Sequence, residues 1–199
     1  MTTISKIRNL LIGAALMITA SNPLLAASTS GTTNVTVTVP EFIVLHYYSN
    51  MTLNFATPET EAINQGQNSM DVSWSGDTSN GENLASANLM NAKLELDGTK
   101  TTVKLDNVWA VRGFSKSGNA TVAVTVPQNK MTLESSEIGI SNAQVTDGTS
   151  TGSSITTKLG GITRAGATLG GIRMDLDFSK TTLSGTHTGG QYTITATTI

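Results

Sequence analysis

A two-residue rhythm is the strongest constraint in this sequence. In residues 34–39, Val35, Val37 and Val39 alternate with Thr36 and Thr38. In ATVAVTV, Val122, Val124 and Val126 alternate with Thr121, Ala123 and Thr125. GIRMDLDF sets Ile172, Met174, Leu176 and Phe178 against Arg173, Asp175 and Asp177, and QYTITATT sets Tyr192, Ile194 and Ala196 against threonines. Successive side chains of a strand point to opposite faces, so each row is one dry face of a β-strand. Two sheets packed face to face bury such rows, which predicts an all-β sandwich.

Turn clusters punctuate these runs, the pattern of a chain made of many short strands. Strands are predicted over 34–39, 41–48, 52–55, 69–74, 88–96, 101–111, 120–126, 130–133, 137–140, 155–159, 172–178 and 191–197. The turn Asp97-Gly98 is a hairpin signal because both residues tolerate positive φ. TPETEAINQG (57–66) is the one helical candidate, with Pro58 at a first helical position and Gly66 as a stop. LGGITRAGATLGG (159–171) is predicted to be a loop or a bulged strand rather than a phosphate cradle. No internal repeat or long linker divides the chain.

The first 27 residues have a different character. Lys6 and Arg8 precede the apolar stretch 10–20, and Ala26 and Ala27 offer a cleavage point, the layout of a secretory signal peptide. That apolar run is about half the roughly 20 residues that a bilayer span needs. Removing Lys6 and Arg8 from the 12 basic residues leaves 10 against 14 acids, a net charge near −4. Nucleic acid demands grouped Lys and Arg, so it is not an expected partner. The sequence has no cysteine, so a fold exported into an oxidising space must hold by packing and hydrogen bonds alone. Thr and Ser together number 53 and charged residues are only 13%, a composition suited to the wet faces of sheets.

Chemistry finds little purchase. His46 sits in the apolar run FIVLHYY, where a core or interface imidazole is expected, and His187 sits in a Gly/Thr turn expected to be exposed. No G-x-S-x-G elbow accompanies them. Asp77, Asn80 and Glu82 fail the twelve-residue calcium-loop spacing. Asp175 and Asp177 share a face with Arg173 and Ser179, and read as a wet outer surface rather than a glycosidase pair. Trp74 and Trp109 each lie in a strand and are expected in the core rather than as sugar platforms. The expectation is therefore no enzyme, no cofactor and no metal.

The segment TTNVTVTVPEFIVLHYYS (32–49) then carries the functional reading. Val35, Val37 and Val39 form an inserting row, preceded by the tether TSGTTN (29–34). Pro40 has a fixed φ and no N–H, so it ends one ladder and lets the chain turn away. The run from Phe42 to Tyr48 is expected to open the chain's own sandwich as a strand buried on both faces. An extended segment of this kind can fill the open edge of another sheet, with backbone bonds giving the pairing and alternate side chains the pockets.

Residues 34–39, followed by Pro40 and an apolar strand, resemble the N-terminus of chaperone–usher pilins, closest in style to the cysteine-free major subunits of colonisation-factor type. The ending THTGGQYTITATTI (186–199), with Tyr192, Ile194 and Ala196, resembles the final strand of such subunits. Many pilins carry a penultimate tyrosine and a disulfide; this chain ends Thr198-Ile199 and has no cysteine. The resemblance implies an immunoglobulin-like β-sandwich lacking its last strand. In that reading 1–27 is the signal peptide, 28–40 the donor-strand extension and 41–199 the pilin domain. It implies copies of itself in a fibre as partners, a periplasmic chaperone and an outer-membrane usher on the way out, and adhesion from the cell surface to an unidentified receptor. The competing expectation is a self-contained secreted sandwich that binds carbohydrate through Trp74, Trp109 or Tyr47 and Tyr48.

Overall fold

A computed structural model of the chain describes residues 28–58, 69–79, 88–95 and 98–199. The chain divides into an N-terminal segment ending at Val37 and a body running from Thr38 to Ile199. Residues 28–41 form no strand, so the row expected at 34–39 makes no ladder within this chain.

The body is built almost wholly of strands: β1 (Phe42–Phe55), β2 (Ser69–Thr78), β3 (Asn88–Asn91), β4 (Lys93–Glu95), β5 (Lys100–Phe114) and β6 (Asn119–Gln128). After these come β7 (Lys130–Leu133), β8 (Ser136–Thr146), β9 (Thr151–Gly152), β10 (Ser154–Lys158), β11 (Thr168–Lys180) and β12 (Gln191–Thr198). One 3₁₀ turn, Arg164–Gly166, lies in the glycine-rich stretch before β11, where Gly166 N–H bonds to the Thr163 side chain. Residues 57 and 58 are not helical, and the remainder of the helical candidate lies outside the described residues.

The larger sheet runs β4-β2-β1-β5-β11-β8-β7, with β3 also on β5 and β9 also on β8. The smaller sheet has three strands in the order β10-β6-β12. The two pack face to face as a sandwich around one core. Val103, Leu105, Trp109 and Val111 of β5 meet Ile172, Met174 and Leu176 of β11, with Val122 and Val124 of β6 in the same cluster. The rows read from β6, β11 and β12 are therefore dry faces, with the threonines and charges alternating with them on the outer ones, whereas the row at Val35, Val37 and Val39 lies in no strand and is exposed.

Two expected elements are rearranged. The separate strands at 41–48 and 52–55 are one long β1, whose first half pairs with β5 and whose second half pairs with β2, with an irregularity between Tyr48 and Asn50. Its first half is not buried on both faces: His46 is buried, but Tyr47 is 41% exposed and its neighbours are half-covered. The expected strand at 88–96 is broken at Ala92. β3 stays on β5 with a register shift, while β4 crosses to pair with β2. A bulge bends the strand that carries it, which is how the chain changes partner there.

Candidate functional site

The smaller sheet ends at β12, and its outer edge is open among the described residues. The direction of its backbone groups follows from two bonds. Ile199 N–H donates to Asn119 O across the β6 side, and the register continues unbroken through Ala196 opposite Val122 and Ile194 opposite Val124. Backbone polar groups alternate in direction along a strand, so Thr197 and Thr195 face β6 while Thr198, Ala196 and Ile194 face away. The parity on β6 agrees, since Val124 N–H turns the other way to Ser153 O beside β10. Three residues of β12 thus offer their N–H and C=O groups outward, a ready template for another strand.

The same stretch is amphipathic in cross-section. Tyr192, Ile194 and Ala196 are half-buried against the core cluster, and the threonines between them are exposed. Burial pushes the Tyr192 phenol up to about 12. The three-stranded layer is also too narrow to cover its partner. On the larger sheet Leu53 faces Trp74 across β1 and β2, Tyr48 meets Trp74 edge-on at 5.2 Å, and Phe55 meets Phe178 at 5.1 Å. All of these remain only half-buried.

The N-terminal row shows the reverse condition. Val35 is 82% exposed, Val37 77% and Val39 57%, and Pro40 beside them is exposed as well. Three branched apolar side chains in strand spacing are thus exposed, Val39 least so, which is unusual for a run of valines.

The remaining candidates fall into structural roles. Trp109 is fully buried and donates its indole N–H to Gly171 O at 2.7 Å. Its full burial leaves it no ring face to offer a sugar, while Trp74 is half-buried with its ring edge-on to Tyr48. Asp175 accepts from Thr102 at 2.7 Å and from Asn142 at 2.7 Å, and Asp177 accepts from Ser179 N–H and lies 3.4 Å from Lys100. Asp77 is bonded to Asn50, while Asn80 and Glu82 lie outside the described residues. Among the described residues no three His, Cys, Asp or Glu side chains gather as metal ligands.

His187 departs from expectation. It is half-buried, with Nε2 2.8 Å from Ser136 Oγ and Nδ1 3.1 Å from Gly185 O. Ser136 is fully buried and its Oγ also accepts the backbone N–H groups of Thr182 and Leu183. With two N–H donors on that oxygen, its own hydrogen is directed at His187 Nε2, leaving the Nδ1 hydrogen for Gly185 O. A serine so enclosed is a staple for the loop before β12 rather than a nucleophile.

The sequence reading missed a cleft of about 640 Å³ on the outer face of the larger sheet, at one end of the β5–β11 pair. There β5 takes four residue steps, Leu105 to Trp109, while β11 takes two, Ile172 to Gly170. Asn107 sits in the excess with φ 58°. The signal available in advance was Gly170-Gly171 inside a strand pattern, which marks a bulge or a close backbone approach. No protein-family model, curated protein or solved structure matches this chain.

Proposed function

We propose that the chain is a structural subunit of a surface fibre that polymerises by donor-strand exchange. Residues 28–40 of one copy act as the donor, with Val35, Val37 and Val39 as knobs and Pro40 as the hinge. The body, an immunoglobulin-like sandwich short of one strand, receives the donor of the next copy along β12, beside Tyr192, Ile194 and Ala196. The observation that carries this reading is the pairing of two deficits: a valine row that its own chain leaves exposed, and an edge strand with outward backbone groups above half-covered apolar side chains.

The energetics support a tight linkage. Burying each valine is worth about 1.5–3 kcal/mol. The N–H and C=O groups of Ile194, Ala196 and Thr198 admit about six backbone bonds, each worth roughly 0.5–1.5 kcal/mol net. A body with this edge open invites aggregation. A periplasmic chaperone that covers it, and an outer-membrane usher that exchanges the cover for a donor, fit that need. Residues 1–27 then serve as the export signal, and the fibre presents its subunits at the cell surface for adhesion.

Replacing Val37 by Asp tests the reading in cells that make the fibre. The variant is expected to be exported and folded but absent from fibres, because a carboxylate cannot enter an apolar pocket. Fibres of normal length from Val37→Asp would remove the donor role.

A further inference from the structure

We propose that the cleft beside the β5–β11 bulge is a binding site for a neutral, polyhydroxylated ligand, a sugar ring of one or two residues. The bulge shapes it. Across the bulge Asp106 and Asn107 lose their partners on β11, although Asp106 stays paired with Asn88 of β3, and Trp109 fills the gap beneath by bonding Gly171 O. Neither glycine of the opposing strand can carry a side chain there. A Cβ on Gly170 would lie 1.9 Å from the Trp109 ring, and one on Gly171 2.4 Å from Leu105 O. The floor is thus fixed by packing, as a binding surface requires, and its volume falls within the usual range for small-ligand sites, about 300–1,000 Å³.

The chemistry of the walls selects the ligand class. Arg173 and Lys104 stand directly opposite one another across the two strands, an arrangement of like charges that costs stability unless something lies between or beside them. Asp106 pairs with Lys104 at 3.9 Å, and the Asp175 carboxylate, on the same strand as Arg173, feels its charge, so each cation has one acid near it. Asp147 lines the far wall, where its Oδ1 accepts the N–H groups of Ser150 and Thr149 and fixes the 147–150 turn. Two cationic and two anionic side chains leave the cleft without net charge. A phosphate or carboxylate would meet both acids, and a bare cation would meet both bases. Hydroxyl groups donate and accept alike, so a sugar satisfies both sets at once. Leu169, 38% exposed at the rim, offers an apolar contact for the C–H face of a ring. The site lies on the outer face of the larger sheet, whereas the open edge belongs to the smaller one, so it does not depend on the fibre reading.

The test uses the full mature chain against immobilised neutral, sialylated and uronic-acid oligosaccharides. Expected is retention on neutral members, reduced at least tenfold by Arg173→Ala and by Asp106→Ala, and unchanged by Lys180→Ala on the same strand outside the cleft. Melting curves check that each variant is folded; should either cleft variant unfold, Lys104→Ala replaces it. Binding that persists in the Val37→Asp background separates this site from the donor-strand mechanism. The proposal is overturned by binding to acidic oligosaccharides alone, by no retention of any neutral oligosaccharide, or by equal loss in Lys180→Ala.

Discussion

Asp175 shows how much a single outer-face residue can tie together. Its carboxylate accepts from Asn142 on β8 and Thr102 on β5, so it bridges three adjacent strands from the middle one. Asn142 reaches it because β8 bulges there: three residues of β8 span two of β11, with Asn142 at φ 50°. The Asn142 and Thr102 hydrogen bonds hold its pKa below the ordinary aspartate value, with Arg173 and Lys100 adding to the effect. A lowered folded-state pKa contributes stability that is complete above the unfolded value near 3.9 and is lost as pH falls through the folded one. Asp175→Asn should therefore destabilise the body by about 1 kcal/mol at neutral pH. In urea titrations the gap to the parent chain should close as pH drops below about 4; a gap that widens with acid contradicts the assignment. Ser136→Ala removes the acceptor for two backbone N–H groups and the partner of His187, and should cost about 1–3 kcal/mol in the same assay. Asp175 was legible as a wet-face residue from its alternation with Met174 and Leu176. The Ser136–His187 contact was not, because 51 residues separate the pair and no local pattern announces it.

At the scale of elements, alternation proved the most informative signal. β6, β11 and β12 occupy the stretches where the apolar rows stand, and the dry face of each is the one the period predicts. Pairing partners were less visible. Nothing in residues 88–96 says that β3 stays on β5 while β4 leaves for β2, since register and partner depend on the whole sheet. The Gly170-Gly171 pair lies in the stretch expected to be a loop or a bulged strand, and it forms the bulged start of β11; what was not legible is the close approach of Trp109. Gly170→Ala should accordingly cost about 3 kcal/mol or more by overpacking the ring against the core, read as a lowered melting temperature; an unchanged melting temperature would show that the ring has room. The N-terminal row makes the opposite prediction. Val37 is so exposed that Val37→Asp should shift the stability of the body by less than about 0.5 kcal/mol, although assembly is lost. A synthetic peptide of residues 32–39 added to the Val37→Asp chain should slow hydrogen exchange of the outward N–H groups of Ile194, Ala196 and Thr198. Unchanged exchange would mean that the peptide does not seat on β12.

For the whole molecule, the all-β class and the sandwich followed from period and turn spacing, because those features reflect what each strand must bury. The imbalance between a broad sheet and a three-stranded one did not, since it depends on how many strands each layer recruits. The proposed donor-strand mechanism rests on that imbalance together with the exposed valine row at 35–39. The most direct measurement is electrophoresis of the purified mature chain in denaturing detergent, with and without boiling. A ladder of multiples without heating that collapses to one band on boiling, and that Val37→Asp abolishes, is the predicted result. A single monomer band in the unheated lane would contradict the account.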